Sequence, residues 1–269
     1  MRASMQLASV WQIQLQLRGA ELEQAWPYLD KGLFGLEVID FASPQVLNDN
    51  WSERLQELQP LYAQLPGPIS LHGPFLDLSP ASPDPMLRQL TKHRYLQALK
   101  IAQALGARYL VLHSQFNPNL RDPSYPVRWL AGTRQFFLDL LPAIEAAQTT
   151  IVLENMWDPC PDHLAALLHE LPAEQFAACF DIAHANLFSP VPVAGWVNTL
   201  GDRLAYVHLS DNHRGYDEHL TLGAGSVDLA ALLAALRARQ LQPWFVLEVK
   251  RWEEVKNSLA HLERVACYN

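Results

Sequence analysis

The sequence predicts a single (β/α)8 barrel running from residue 1 to residue 269. Three observations carry that expectation. Short apolar runs alternate with longer amphipathic segments along the whole chain, the pattern of a parallel sheet covered by helices, and eight of each can be counted. A chain of 269 residues that is 49% hydrophobic has the length of one such barrel and enough apolar material for its core. The third observation is an absence. Val10 is followed by Trp11-Gln12-Ile13-Gln14, with no G-x-G-x-x-G turn to indicate a doubly wound dinucleotide fold, and Gly223-Ala224-Gly225 follows no strand and reads as a turn.

The expected strands are MQLASV (5–10), LFGLEVI (33–39), PISLH (68–72), ARYLVLH (107–113), TTIVLE (149–154), FAACFD (176–181), RLAYVH (203–208) and WFVLE (244–248). Helices are expected over 20–31, 48–65, 85–105, 126–147, 161–171, 190–201, 226–239 and 252–266. The pattern is clearest over 85–105, where Leu87, Leu90, Tyr95, Leu99 and Ala102 recur at steps of helical spacing. It is weakest over 190–201, which opens on Pro-Val-Pro. The stretch Ser79-Pro80-Ala81-Ser82-Pro83-Asp84-Pro85 reads as a loop leading into a helix. No Gly/Ser linker or charge run marks a domain boundary, so residues 1–269 are expected to form one domain.

Twenty Lys and Arg against twenty-eight Asp and Glu leave a net charge of −8, which disfavours a partner held through many phosphates. Nucleic acid is therefore an unfavoured partner. The three cysteines, Cys160, Cys179 and Cys267, are odd in number and include no C-x-x-C pair, which speaks against a disulfide framework and for a reducing compartment. The N-terminal MRASMQLASVWQIQ shows no cleavage region and reads as a strand, not a signal peptide. The apolar run Leu229–Leu236 falls far short of the ~18 to 20 residues that span a bilayer. These readings set the expectation of a cytoplasmic protein with no membrane partner; self-association into a homo-oligomer stays open.

The residue that closes each apolar run is the informative one. The third to eighth runs end in His72, His113, Glu154, Asp181, His208 and Glu248. In a (β/α)8 barrel the carboxyl ends of the strands converge on one mouth, where active sites are built. Imidazoles and carboxylates scattered over the sequence would thereby gather into a set suited to a divalent cation. A lone His or Asp at a strand end is ordinarily a packing or capping residue. Six in succession would instead crowd a mouth with desolvated, mutually repelling groups, and a cation relieves that conflict. His184, three residues past Asp181, adds a donor. So does Asp217-Glu218-His219, whose two-residue step in extended chain would turn Asp217 and His219 to one side.

With these residues in place, the chain resembles the xylose isomerase-like barrel superfamily, which includes endonuclease IV and many sugar isomerases and epimerases. The carriers are LHGPF around His72, VLHS around His113, VLEN around Glu154, FDIAH around Asp181 and His184, VHLSDN around His208, DEHLTLGAG around Asp217 and His219, and VLEV around Glu248. Resemblance to endonuclease IV implies three zinc ions. The first would be held by His72, His113 and Glu154, the second by Glu154, Asp181, His208 and Glu248, and the third by His184, Asp217 and His219. Resemblance to keto-sugar epimerases implies a single Mn2+-type ion on Glu154, Asp181, His208 and Glu248, with the two glutamates also moving protons. The cofactor expectation is thus one to three divalent ions, zinc or manganese, with magnesium or cobalt as alternatives.

The loops argue between the two. Asp40-Phe41-Ala42-Ser43-Pro44 after the second strand has no basic residue, and residues 73–85 after the third carry Asp77 and Asp84 without Lys or Arg. The expected activity is therefore isomerisation or epimerisation of a small sugar, sugar phosphate or sugar-derived polyhydroxy carbonyl compound, with Glu154 and Glu248 as the proton-transferring pair. Trp11, Phe75, Phe116 and Trp157 are candidates to stack on sugar faces. Arg214, Lys250 and Arg251 are candidates for an anionic group. Multi-zinc phosphodiester hydrolysis at abasic DNA and a catalytically silent metal-binding barrel remain the alternatives.

Overall fold

A computed structural model describes residues 11–268. Eight parallel strands close into a barrel in chain order: β1 (Ile13–Leu15), β2 (Gly35–Val38), β3 (Ile69–His72), β4 (Tyr109–His113), β5 (Thr150–Glu154), β6 (Phe176–Asp181), β7 (Leu204–Leu209) and β8 (Trp244–Leu247), with β8 pairing back to β1. The (β/α)8 fold expected from the sequence is the fold observed. The run at 5–10 lies outside the described residues, and the first strand of the barrel is β1. The other expected strands match to within two residues at each end.

The helices are α1 (Gly19–Leu29), α2 (Pro44–Asn48), α3 (Trp51–Tyr62), α4 (Pro85–Leu105), α5 (Tyr125–Ala147), α6 (Asp162–His169), α7 (Ile182–Phe188), α8 (Val193–Leu200), α9 (Leu229–Ala238) and α10 (Trp252–Tyr268). Local chemistry sets their ends. Asp84 caps α4 by accepting the Met86 N–H at 2.8 Å, Pro85 takes the first helical position, and Gly106 closes the helix at φ 65°. The helix expected over 48–65 is α3, and the short α2 before it is a separate helix absent from the sequence-based expectation. Ser43 caps a turn that Pro44 begins early, and Asn50, at φ −139°, leaves the helical region before α3 starts. The helix α7 is absent from the sequence-based expectation. It begins directly at the end of β6 because the Asp181 carboxylate accepts the His184 N–H at 2.7 Å. Among the described residues no helix is long and apolar enough to cross a membrane.

Both faces of the sheet are buried, as parallel strands require. Leu110, Leu112, Ile151, Leu153 and Phe180 face the surrounding helices. Val111, Val152, Cys179, Tyr206 and Val246 pack together inside the barrel. Each fully buried aliphatic or aromatic side chain contributes about 1.5–3 kcal/mol. The inward phase also sets the site. Counting two residues up from each inward position gives His113, Glu154, Asp181, His208 and Glu248, so these side chains stand in the same column at the carboxyl end. One irregularity occurs: the β6–β7 register shifts between Ala178 and Cys179, so that Ala178 is level with Leu204 but Cys179 with Tyr206. Above it Asp181 pairs with His208.

Candidate active site

The carboxyl ends of the strands enclose a cavity of about 340 Å3. His72, His113, Glu154, His184, Asp217, His219 and Glu248 line it, while Asp181 and His208, both 0% exposed, lie in its floor. Glu154 is central. Its Oε2 lies 3.5 Å from His72 Nε2 and 3.4 Å from His113 Nε2. Its Oε1 lies 3.1 Å from His184 Nδ1 and 3.4 Å from His208 Nδ1. His208 Nδ1 also stands 3.2 Å from Glu248 Oε2 and 3.9 Å from Asp181 Oδ2. Further out, Asp217 Oδ2 lies 2.8 Å from His219 Nε2 and 3.5 Å from His184 Nε2.

Four of the imidazoles are oriented from behind. A carbonyl oxygen only accepts, so a ring nitrogen beside one must carry the hydrogen. His72 Nδ1 faces the Gly73 carbonyl at 3.0 Å, His184 Nδ1 the Asn155 carbonyl at 3.0 Å, and His219 Nδ1 the Glu248 carbonyl at 3.1 Å. Each leaves its other nitrogen toward the carboxylates. His208 is the exception, for its Nε2 lies 3.1 Å from a carboxylate oxygen, Glu37 Oε2, and its Nδ1 faces the cavity side.

The acids are poorly served by these contacts. Both Glu154 oxygens, Asp181 Oδ2, Glu248 Oε2, Asp217 Oδ1 and His208 Nδ1 are buried without an aligned hydrogen bond. Each such group ordinarily costs about 1–3 kcal/mol, more when charged. Burial, partly offset by the His184 imidazole, pushes the Asp181 carboxyl up to about 7. Burial opposes ionisation of Glu248 as well, but His208 outweighs it and holds the carboxyl at about 2. Glu154 is likewise kept well below the usual carboxylate range, against burial, by His113, His208 and His184. Burial lowers His113 to about 4, leaving it a neutral donor. Orphaned oxygens and imidazole lone pairs facing one another at these distances fit a divalent cation. Compatible triads include His72–His113–Glu154 and His72–His208–Glu248.

Other expectations fare unevenly. Phe75 lines the cavity, with its ring stacked 4.8 Å from His113 and edge-on to His72 at 5.5 Å. Trp11 precedes β1 and so lies toward the end of the barrel opposite the mouth; it is buried and stacked on Phe245 at 4.6 Å, which removes it as a substrate contact. Phe116 is also interior, stacked on His163 at 4.2 Å. Trp157 is exposed and outside the cavity lining, where Met156 takes its place. Arg214 is turned away, donating to Asn186 Oδ1 at 3.0 Å, and Arg251 is paired with Glu254. Lys250 does line the cavity, as does Arg18, which the sequence reading passes over. Asp217 and His219 meet, but not through extended chain: His219 sits at φ 53°, so a left-handed turn brings the pair together.

Glu37 and Gln16 are absent from the sequence-based candidates. Glu37 stands alone in the apolar run LFGLEVI, and a solitary charge inside a strand expected to be buried is the signal that marks it.

The family model for the xylose isomerase-like TIM barrel matches residues 30–265. An L-ribulose 3-epimerase of Methylomonas sp. is 39% identical over 72 residues, 27% of this chain and 23% of the relative. An uncharacterised protein of Methanocaldococcus jannaschii is 28% identical over 176 residues, 63% of this chain and 60% of the relative. The chain thus spans less than two thirds of either curated relative. Among solved structures, a Thermus thermophilus protein soaked with zinc chloride is 30% identical, with TM-score 0.77 and coverage of 96% of this chain and 98% of the other. A D-tagatose 3-epimerase-like protein is 22% identical, with TM-score 0.79 and coverage of 94% and 96%, a likeness of fold.

Proposed function

The chain belongs to the xylose isomerase-like TIM-barrel family, and from that premise we propose that it is a divalent-metal-dependent isomerase or epimerase of a small sugar or sugar-derived polyhydroxy carbonyl compound. The observation that carries the proposal is the convergence of orphaned, buried donors from Glu154, Asp181, His208 and Glu248. These four would hold the cation. When bound, it supplies Lewis acidity toward a carbonyl oxygen and its neighbouring hydroxyl.

Glu154 ends β5 and Glu248 follows β8, three places apart round the barrel, and both reach the same His208 nitrogen, at 3.4 and 3.2 Å. Both are held as carboxylates. One takes the proton from the carbon beside the carbonyl and the other returns a proton to the opposite face. Phe75 offers an aromatic surface to the sugar ring or chain. Arg18 and Lys250 follow strands that pair with each other, so they share one rim of the cavity and can hold a terminal hydroxyl or an anionic group. Incubating Mn2+-loaded protein with a panel of ketoses in D2O tests the reading. Deuterium should enter at the carbon next to the carbonyl, and its absence from every ketose and ketose phosphate would reject the proposal.

A second reading, multi-metal phosphodiester hydrolysis at abasic DNA, draws on one observation. His72 and His113 flank Glu154, and Asp217 and His219 sit beyond His184, so donors for further cations are present. Against it, Arg18 and Lys250 are the only Lys or Arg lining the cavity among the described residues, and the net charge is −8. Strand incision of an abasic duplex at physiological salt would favour it.

A further inference from the structure

We infer that Glu37, buried in β2 beneath the mouth, is a positioning residue that fixes which nitrogen of His208 faces the cation and thereby makes the His208 position the tightest metal site of the mouth. The inference rests on the metal reading above and deepens it.

An imidazole that gives one lone pair to a cation must carry its hydrogen on the other nitrogen, and a buried N–H needs an acceptor from the protein. His72, His184 and His219 meet this need with neutral backbone carbonyls. His208 meets it with the Glu37 carboxylate at 3.1 Å. A charged acceptor binds the N–H more strongly than a carbonyl does, and it makes the opposite nitrogen a better electron-pair donor.

Glu37 is itself fixed. It is 0% exposed, its Oε1 accepts Gln16 Nε2 at 2.7 Å, and its Oε2 lies 2.7 Å from the Tyr206 hydroxyl. The same Gln16 amide reaches Glu248 Oε1 at 3.2 Å. One buried carboxylate therefore aligns two of the four proposed ligands, His208 directly and Glu248 through Gln16. The other tautomer of His208 would set an Nδ1–H toward the cavity acids and a bare Nε2 lone pair against Glu37, losing both the lone pair for a cation and the hydrogen bond to Glu37.

The experiment pairs affinity with spectroscopy. Zn2+ and Mn2+ affinities of the parent, Glu37→Gln and Tyr206→Phe are measured by competition with a chromophoric chelator. In the Zn2+-loaded parent, 15N-selective spectra of the histidine rings report which nitrogen of His208 is protonated. The expected result is an Nε2-protonated, Nδ1-ligated His208, with affinity for the first equivalent falling about 10–100-fold in Glu37→Gln and less in Tyr206→Phe. An Nδ1-protonated His208 in the loaded parent would overturn the inference without any variant, so a misfolded Glu37→Gln cannot shelter it. Equal first-equivalent affinity in parent and Glu37→Gln would overturn it too, while leaving the metal reading intact. A parent that takes up neither ion would defeat the metal reading itself, and the inference with it.

Discussion

Two polar layers are stacked inside the barrel, and they differ in one respect. In the lower layer, Gln14, Ser70, Tyr206 and Glu37 satisfy one another: Ser70 Oγ donates to Gln14 Oε1 at 2.9 Å, Gln14 Nε2 donates to the Pro68 carbonyl at 3.0 Å, and the Tyr206 hydroxyl lies against Glu37 and Gln14. In the upper layer, Glu154, Asp181, His208 and Glu248 crowd together with orphaned atoms. Similar residue types at similar depth thus serve different ends. A closed network contributes to stability on its own, whereas an open one is completed by something from outside. Burial alone does not separate the two layers; the missing partners do.

The comparison can be broken most directly at Glu154. Its Gln variant keeps the shape but lacks the charge a cation needs, so turnover should fall about a thousandfold or more, with bound metal lost and the circular dichroism spectrum retained. Elemental analysis showing undiminished metal in Glu154→Gln would put the upper layer in the same class as the lower.

Metal removal comes next. Anything that binds only the folded state stabilises it, by about 4 kcal/mol when its free concentration is a thousand times Kd. Adding Mn2+ to chelator-stripped protein should therefore raise its melting temperature. The rise should persist in Tyr206→Phe and vanish in Glu154→Gln.

The lower layer should answer in stability. Tyr206→Phe removes the one hydroxyl hydrogen that lies between Glu37 and Gln14, a cost of about 1–3 kcal/mol by chemical denaturation in chelator. A neutral result would mean that the lower layer is not closed.

A smaller effect is expected at the edge of the upper layer. Asp217→Ala combined with His219→Ala leaves the four central donors in place. Epimerisation should fall only modestly, with one tightly held ion surviving by elemental analysis. Collapse of activity together with loss of a second ion would favour the multi-metal reading. Trp157→Ala, outside the cavity, should change stability by less than about 0.5 kcal/mol and leave KM unmoved in the ketose assay.

The upper layer is legible in the sequence because its members end apolar runs, and position in a run translates directly into height in the barrel. Glu154, Asp181, His208 and Glu248 announce themselves in this way. Glu37 does not, since it sits inside its run, and Tyr206 reads as one more aromatic in a strand. The apolar run at 5–10 draws the first strand away from Ile13–Leu15, and that displacement carries Trp11 to the wrong end of the molecule. The meeting of Asp217 with His219 is legible but its geometry is not, because a left-handed residue at His219 carries no glycine or asparagine to signal it. Helix α7 is hidden because its cap, Asp181, reads as a residue of the mouth.

The register shift between β6 and β7 decides which two residues meet at the mouth. Side chains alternate along a strand, so a slip of one residue exchanges inside for outside. The extra residue, Ala205, divides the pair into two independently aligned segments: below it Ala178 is matched with Leu204, and above it Asp181 with His208. Continued from Ala178 and Leu204 without the extra residue, the register would set Asp181 opposite Val207. The bulge is what brings the carboxylate level with the imidazole.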